Sequence, residues 1–139
     1  MLLHIIARGK IGRSPEAELT QRYLKRIAWP TKVTELTERA LLPDAPPNSV
    51  SIALDERGTA LSSSELAAKL ESWRDGGKRE ARFLIGAADG HDDAGRARAD
   101  LLLSFGPATW PHLLVRAMLA EQLFRATSIL ANHPYHREG

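Results

Sequence analysis

Cysteine is the most informative absence from this sequence, which contains none. Its absence excludes disulfides, a thiolate nucleophile and cysteine-based zinc sites, and it is compatible with a reducing compartment such as the cytosol. Long apolar runs are also missing. The run at residues 2–7 is too short for a signal-peptide core, and basic residues follow it where an export signal would place them in front. We therefore expect a strand there, no membrane span and a cytoplasmic protein.

Neither sign of charge is in large excess, since 19 basic residues face 17 acidic ones and the net charge is +2. This slightly basic balance indicates a nucleic-acid partner only weakly, because solvated surfaces explain most local clusters of basic residues. The 139 residues, 43% of them hydrophobic, are enough to bury a core without disulfides. We expect one domain over residues 1–139.

Several familiar catalytic and nucleotide-binding motifs are absent too. The sequence has neither the GxGxxG dinucleotide fingerprint nor the GxxxxGK phosphate loop, and spacing supports no Ser-His-Asp arrangement. His4 and His91 look incidental, and His112 is interpreted as a helix-cap or core residue. Asp92 and Asp93 are interpreted as the charged start of a helix.

What the sequence does contain is an alternation of strands and helices. Strands are predicted at residues 2–7, 33–37, 49–55, 81–86 and 99–105. Helices are predicted to begin at Ser14-Pro15, at the capping box of Ser62 and Glu65, and at Pro111, with a short charged helical piece before the last strand. The first helix is expected to end near Ala28. This order predicts an α/β domain with a largely parallel sheet, whose ligands bind at the carboxyl ends of the strands.

Three strand ends are candidates for that binding edge: Leu54-Asp55, residues 86–90 and residues 106–110. Gly86 and Gly90 permit close backbone approach to a ligand, and residues 106–109 lead into a helix N-terminus that offers backbone N–H groups. Ordinary turns use the same residue types. On composition alone, ligand binding and plain turns therefore both stay open.

The C-terminal segment is chemically the richest part of the chain, with Asn132, His133, Pro134, Tyr135, His136 and Arg137 directly after an apolar helix. A frayed terminus, a metal site and a catalytic segment are all compatible with these residue types. A metal site is disfavoured because His133 and His136 have no third ligand at matching spacing. Pro134 and Tyr135 add stiffness and an aromatic anchor, which favour a docked conformation.

Longer stretches of the chain resemble a known family. The run WPHLLVRAMLAEQLFRATSILANHPYHRE at residues 110–138 resembles the C-terminal signature of the ribosomal RNA large subunit methyltransferase H family, of the SPOUT class. ALDERG (53–58), ELAAKLESW (65–73) and FLIGAADG (83–90) resemble the same family in order and spacing. The resemblance covers nearly the whole chain, and the tail is its most specific part.

This resemblance implies both a fold and an activity. The expected fold is a SPOUT-type parallel sheet flanked by helices, with a C-terminal trefoil knot that general folding rules would have rejected. The expected protein is a homodimer that binds S-adenosylmethionine and methylates N3 of a pseudouridine in 23S ribosomal RNA of the assembled ribosome.

The resemblance also assigns site residues. It implies cofactor contacts at the three strand ends: Leu54, Gly86, Phe105, Gly106, Pro107, Ala108, Thr109 and Trp110. As a hypothesis for catalysis, His133 or His136 assists proton loss from N3, while Tyr135 orients or stacks on the base. Arg137 then holds a phosphate or the developing negative charge. In a dimer, this tail could serve the partner's cofactor site.

Two segments depart from the family pattern. The family has a glycine pair and a Pro-Glu where this chain has Gly86-Ala87-Ala88-Asp89, and residues 39–48 look shorter than usual near the substrate side. Two other functions are weighed beside the enzyme. One is a noncatalytic ribosome-binding or assembly protein with the same fold, and the more distant one is a metal-dependent phosphoesterase that uses the tail histidines.

Overall fold

The computed structural model of the protein describes residues 1–86, 91 and 93–137. These residues form five strands and four helices in the order β1 (Leu2–Arg8), α1 (Pro15–Leu24), β2 (Thr31–Leu36), β3 (Ser49–Ala60), α2 (Ser63–Asp75), β4 (Glu80–Ile85), α3 (Asp93–Arg98), β5 (Leu101–Ser104) and α4 (His112–Leu130). All neighbouring strands pair in parallel, in the order β2-β1-β4-β3-β5. The predicted α/β class and parallel sheet are confirmed.

The main core lies between one face of the sheet and the helices α1, α2 and α4, with α4 packed against both of the others. Ile5 and Phe83 of the sheet meet Leu119 and Leu123 of α4, and all four side chains are fully buried. A smaller cluster, Ile6, Ala53 and Leu84, covers the opposite face. Burial on both faces explains why these strands read as continuous apolar runs instead of alternating ones. No helix among the described residues is long and apolar enough to cross a membrane.

The helix starts follow the sequence signals. Ser14 Oγ accepts a hydrogen bond from the backbone N–H of Ala17 at 3.1 Å, and the reciprocal capping box of Ser62 and Glu65 is present. The end of α1 differs from the prediction, since the helix stops at Leu24. Beyond that residue the N–H groups of Arg26 and Ile27 bond carbonyls three residues back, so the chain tightens into a narrower turn before the next strand.

The strand β3 is longer than predicted, and its extension shapes the edge of the sheet. Its pairing with β5 is interrupted between Leu54 and Thr59, so residues 55–58 leave the ladder. Gly58 crosses the backbone of β5 so closely that a Cβ there would lie 2.6 Å from the carbonyl of Leu102. The interruption turns residues 55–57 toward the space above the carboxyl end of β4.

Candidate active site

A cavity of about 210 Å³ lies where β3, β4 and β5 meet the first turn of α4. Its wall combines segments that are far apart in sequence, and it is lined by Leu54, Asp55, Glu56, Arg57, Ile85, Gly86, His91, Arg96, Leu103, Phe105, Gly106, Ala108, Thr109, Trp110, His112 and Val115. Parallel strands bring their carboxyl ends to one edge of a sheet, which is why these segments converge.

The residues predicted to contact a cofactor are mostly found around this one cavity. Its wall includes Leu54, Gly86, Phe105, Gly106, Ala108, Thr109 and Trp110. Pro107 is exposed and is not among the lining residues. Residues 87–90, the rest of the predicted glycine-bearing segment, lie outside the described residues. The convergence of these segments is a property of the fold, and the cofactor contacts themselves stay a prediction.

One side of the cavity is apolar. Leu54, Ile85, Leu103, Phe105 and Val115 supply aliphatic and aromatic surface, and Gly86 between them is buried. A slot of this kind suits a flat heteroaromatic ring, because the ring buries its faces while its polar edge reaches backbone groups.

The opposite side carries charged groups in fixed positions. The carboxylate of Asp55 is only 8% exposed, and it accepts a hydrogen bond from Arg96 at 3.4 Å. Arg96 also donates to the carbonyl of His91 at 2.6 Å and pairs with Asp93. The bond to Asp93, followed by that to Asp55, holds the pKa of Arg96 above its ordinary value. Arg96 therefore fastens the start of α3 to the edge of β3.

The loop between β5 and α4 is held by its own hydrogen bonds. Gly106 has a φ of +104°, a conformation that side chains rarely adopt, and its N–H donates to Ser104 Oγ at 3.0 Å. The indole N–H of Trp110 donates to the carbonyl of Phe105 at 3.3 Å, and Thr109 Oγ1 donates to Glu56 at 2.8 Å. The loop is thus tied to β3 and presents its backbone to the cavity.

Two histidines that the sequence did not single out lie on the cavity wall. His91 was interpreted as incidental, yet it lines the cavity, and its Nε2 lies 3.1 Å from the carbonyl of Leu84. His112 was interpreted as a cap or core residue, and it also lines the cavity. Their positions directly after two strand-end segments are the signal that could have found them. Asp93 begins α3 as predicted, whereas Asp92 lies outside the described residues.

The C-terminal tail, residues 131–137, begins with a turn that reverses the chain. Asn132 has a φ of +57°, its N–H bonds the carbonyl of Ile129 at 3.1 Å, and the N–H of His133 bonds that of Ser128 at 2.9 Å. This is a Schellman motif with asparagine in the left-handed position. Pro134 follows and cannot continue the helix. The tail therefore folds back along α4.

Tyr135 anchors the tail against α4. Its ring centroid lies 4.5 Å from that of Phe124, and its hydroxyl donates to Glu121 Oε1 at 3.1 Å. Burial raises the pKa of Tyr135 to about 12, with the hydroxyl of Tyr23 and the carboxylate of Glu121 adding to the effect. The phenol is thus neutral at physiological pH. The predicted docked conformation is confirmed.

The other tail side chains differ in their surroundings. Arg125 donates to Nδ1 of His136 at 3.2 Å, and the backbone N–H of Tyr135 donates to Nδ1 of His133 at the same distance. His133 and Arg137 are exposed. Within the described parts of the chain, no group of three histidine, aspartate or glutamate side chains is placed to hold a metal ion.

The tail and the cavity lie toward different ends of α4. The cavity contacts the first turn at His112 and Val115, whereas Arg125, which holds His136, lies nearly three turns beyond Val115. At 1.5 Å per residue this is about 15 Å along the helix axis. None of the tail residues 131–137 is among those that line the cavity.

Comparison with known proteins gives the family. Residues 1–136 match the family model described as a predicted SPOUT methyltransferase. The chain is 68% identical to ribosomal RNA large subunit methyltransferase H of Novosphingobium aromaticivorans and 66% identical to that of Rhizorhabdus wittichii, with 100% of both chains covered in each case. It is 48% identical to that of Paramagnetospirillum magneticum over 99% of both chains.

Solved structures share the fold at low sequence identity. A probable methylase family protein from Haemophilus influenzae matches with a TM-score of 0.65 at 12% identity, over 98% of this chain and 70% of the other. A probable methyltransferase from Bordetella pertussis matches with a TM-score of 0.57 at 13% identity, over 91% and 95%. From its full-length matches, the chain belongs to the ribosomal RNA large subunit methyltransferase H family of SPOUT methyltransferases.

Proposed function

We propose that this protein uses S-adenosylmethionine to methylate N3 of a pseudouridine in 23S ribosomal RNA of the assembled ribosome, in the cytoplasm. The observation that carries the proposal is the convergence of Leu54, Gly86 and the 105–110 loop around one cavity. The names of the full-length relatives support ribosomal RNA as the substrate.

The residues of the cavity fit this cofactor. The apolar side at Leu54, Leu103 and Phe105 would hold the adenine ring, and the backbone of the 105–110 loop would meet its polar edge. Glu56, which is exposed on the charged side, suits the positive end of the methionine moiety. When bound, S-adenosylmethionine would supply an activated sulfonium methyl group for N3 of the base, and the N3 proton would leave to solvent.

The tail residues are proposed to act on the RNA. A tail histidine assists proton loss from N3, and Arg137, which is exposed, holds a phosphate or the negative charge that develops on the base carbonyls. For Tyr135, the structure supports orientation of the base better than stacking on it. Its ring lies against Phe124, and stacking on a base would require it to leave this contact.

The separation of tail and cavity supports a homodimer in which each tail serves the partner's cavity. An apolar groove between α1 and α4, lined by Leu19, Tyr23, Leu114 and Met118, offers a surface for a second copy. We also propose the C-terminal trefoil knot that the family resemblance implies. In this arrangement α4 connects the cavity of one protomer to the tail that serves the other.

The activity is tested by transfer of a labelled methyl group to ribosomes that lack the modification, followed by mass analysis of the modified nucleotide. We expect N3-methylpseudouridine with the wild type, and losses of at least about 100-fold with His136→Ala and with Arg137→Ala, as for groups that stabilise a transition state. Unchanged rates in both variants would contradict the tail roles. A methyl group on another atom or nucleotide would contradict the substrate.

The noncatalytic alternative is tested by calorimetric titration with S-adenosylmethionine, which should bind only if the cavity is a cofactor site. The variant Gly106→Ala should weaken binding about tenfold or more, because a side chain at φ +104° distorts the loop. Gly77→Ala is the matched control, since Gly77 has a φ of +93° just beyond α2, away from the cavity. No binding by the wild type would favour the ribosome-assembly function.

A further inference from the structure

The guanidinium of Arg26 lies over two aromatic rings, just beyond the end of α1 and against the C-terminal tail. Its central carbon is 4.2 Å from the ring centroid of Phe124 and 5.2 Å from that of Tyr135. The residue is nonetheless exposed. Contacts with aromatic faces hold a guanidinium in place but give its N–H groups no oxygen acceptor. Arg26 therefore combines a restrained position with donors that a ligand can use.

Two other arginines among the described residues also lie over rings, and both use their donors within the chain. Arg74 donates to the carboxylate of Asp75 at 3.1 Å, and Arg125 donates to that of Glu121 at 2.8 Å. Across the described part of the chain, the side chain of Arg26 has no such acceptor. Since a guanidinium carries five N–H donors and is always charged, this one is placed to bind an anion from outside the chain.

The surroundings of Arg26 are positively charged. Lys25 precedes it and Arg137 lies in the tail, and both are exposed. The carboxylate of Glu121, on the adjoining part of α4, is already paired with Arg125. The end of α1 and the tail therefore present positive charge together, which attracts a polyanion.

We infer that Arg26 binds a phosphate of the ribosomal RNA backbone beside the segment that the tail contacts. This inference rests on the proposed function and extends the RNA-binding surface from the tail to α1. The planar fork of a guanidinium matches two phosphate oxygens. Because the two rings already restrain the side chain, less conformational entropy is lost when the phosphate binds. The contact with Tyr135 ties the bound phosphate to the tail.

Binding is tested with ribosomes that lack the modification, without cofactor, over a series of potassium chloride concentrations. Arg26→Ala should weaken binding about tenfold and reduce the slope of log affinity against log salt by about one unit, because one phosphate contact is lost. Arg74→Ala is the matched control, since it removes the same charge and a similar ring contact. It should change neither quantity. Equal weakening in both variants would overturn the inference, because general charge attraction would then explain it.

Two further substitutions separate phosphate binding from support of the tail. Arg26→Met keeps an apolar contact with the two rings but has no charge and no donor, so it should bind ribosomes as weakly as Arg26→Ala. Arg26→Lys should keep the salt slope of the wild type at an intermediate affinity, because the charge remains and the fork is lost. Ribosome binding by Arg26→Met at the level of the wild type would overturn the phosphate role.

S-adenosylmethionine also carries a carboxylate that suits a guanidinium, so calorimetric titration distinguishes the two anions. Arg26→Ala should leave the Kd of the cofactor unchanged and, in methyl transfer, should raise the KM for ribosomes without lowering kcat. A loss of cofactor affinity with unchanged ribosome binding would overturn the assignment to RNA. Normal binding and transfer by Arg26→Ala would overturn only the role of Arg26. If the wild type binds ribosomes but transfers no methyl group, the proposed activity fails, and Arg26 is still judged by the binding measurements.

Discussion

At the scale of single residues, Arg116 shows how a buried charge is accommodated beside the cavity. The side chain is 1% exposed, yet it sits on α4 one residue after Val115, which lines the cavity. It pairs with Glu35 of β2 and donates to the carbonyl of Gly9 at 2.6 Å. These contacts tie the end of β1 and the edge strand to α4. A buried guanidinium is tolerated when it has such partners. Removal of one partner lowers the free energy of unfolding, because it leaves an unpaired buried charge.

The carboxylate of Glu35 gives a prediction for acid stability. The hydrogen bond from Arg116 lowers the pKa of Glu35, so its contribution is present above the unfolded-state pKa and is lost as pH falls through the folded value. At pH 7 we expect Glu35→Gln to lower the free energy of unfolding by about 2 kcal/mol. In urea denaturation from pH 7 to pH 3, the difference in unfolding free energy between wild type and variant should become smaller. A constant difference would contradict the lowered pKa of Glu35.

The phenol of Tyr135 gives a prediction at the alkaline end. Its folded pKa of about 12 is above the unfolded value, so the stability it contributes is complete below the unfolded pKa and is lost as pH rises toward 12. Tyr135→Phe removes the bond to Glu121 and should cost about 1 kcal/mol at pH 8. As the pH becomes more alkaline, the denaturant midpoint of the wild type should fall toward that of the variant. Parallel curves would contradict the raised pKa.

At the scale of elements, the turn at Asn132 decides where the tail goes. An alanine in the left-handed backbone conformation costs about 1 kcal/mol of folding free energy, whereas glycine adopts this conformation freely. We expect Asn132→Gly to keep both stability and methyl transfer close to wild type. Asn132→Ala should lose about 1 kcal/mol of unfolding free energy and, because the tail no longer reverses correctly, most of its methyl transfer.

A second asparagine provides the control for this prediction. Asn48 has the same φ of +57° in the turn before β3, at the opposite end of the sheet from the cavity. Asn48→Ala should lose a similar amount of stability and keep its methyl transfer. Thermal or urea unfolding combined with the labelled-methyl assay separates the two effects. Equal activity losses in both alanine variants would show that strain alone, and not tail direction, reduces the rate.

At the scale of the whole molecule, the separation of tail and cavity predicts complementation between protomers. In the proposed homodimer, Gly106→Ala damages both cavities and Arg137→Ala damages both tails, so each variant should lose most of its activity at a low S-adenosylmethionine concentration. Mixed dimers can be isolated by co-expression with two different affinity tags. If each tail serves the partner's cavity, one site of the mixed dimer is intact, and about half of the wild-type activity should return. Mixed dimers without activity would show that each tail serves its own cavity.

Much of the fold could be predicted because its signals are local. The caps at Ser14 and Ser62 and the apolar strand runs each depend on neighbouring residues, and the structure has them where the sequence placed them. Several element ends differ from the prediction, including the starts of β2 at Thr31 and β5 at Leu101, and two of the differences are large. The tightening after Leu24 and the extension of β3 past Asp55 depend on what the chain packs against, such as the approach of Gly58 to β5.

The candidate site was less predictable than the fold, because it too depends on which distant segments pack together. The strand pattern made the three strand ends candidates, the resemblance assigned cofactor contacts to Leu54, Gly86 and 105–110, and the sheet edge then brought most of these residues together. Arg96 carries no sequence signal of its own, and His112 carries only its position after a strand-end segment. They reach the cavity because α3 and α4 begin at its rim, and such long-range proximity cannot be read from spacing.

By itself, the sequence determined the α/β class, the helix caps, the chemistry of the tail and, through its resemblance, the family. These depend on local backbone preferences and on the order of residues along the chain. Only the tertiary structure decided that the tail turns back on α4, that Arg125 bonds Nδ1 of His136, and that this contact lies about 15 Å along the helix from the cavity. Those facts depend on which distant side chains the packing brings together, and hydrogen-bond direction exists only once both partners are in place.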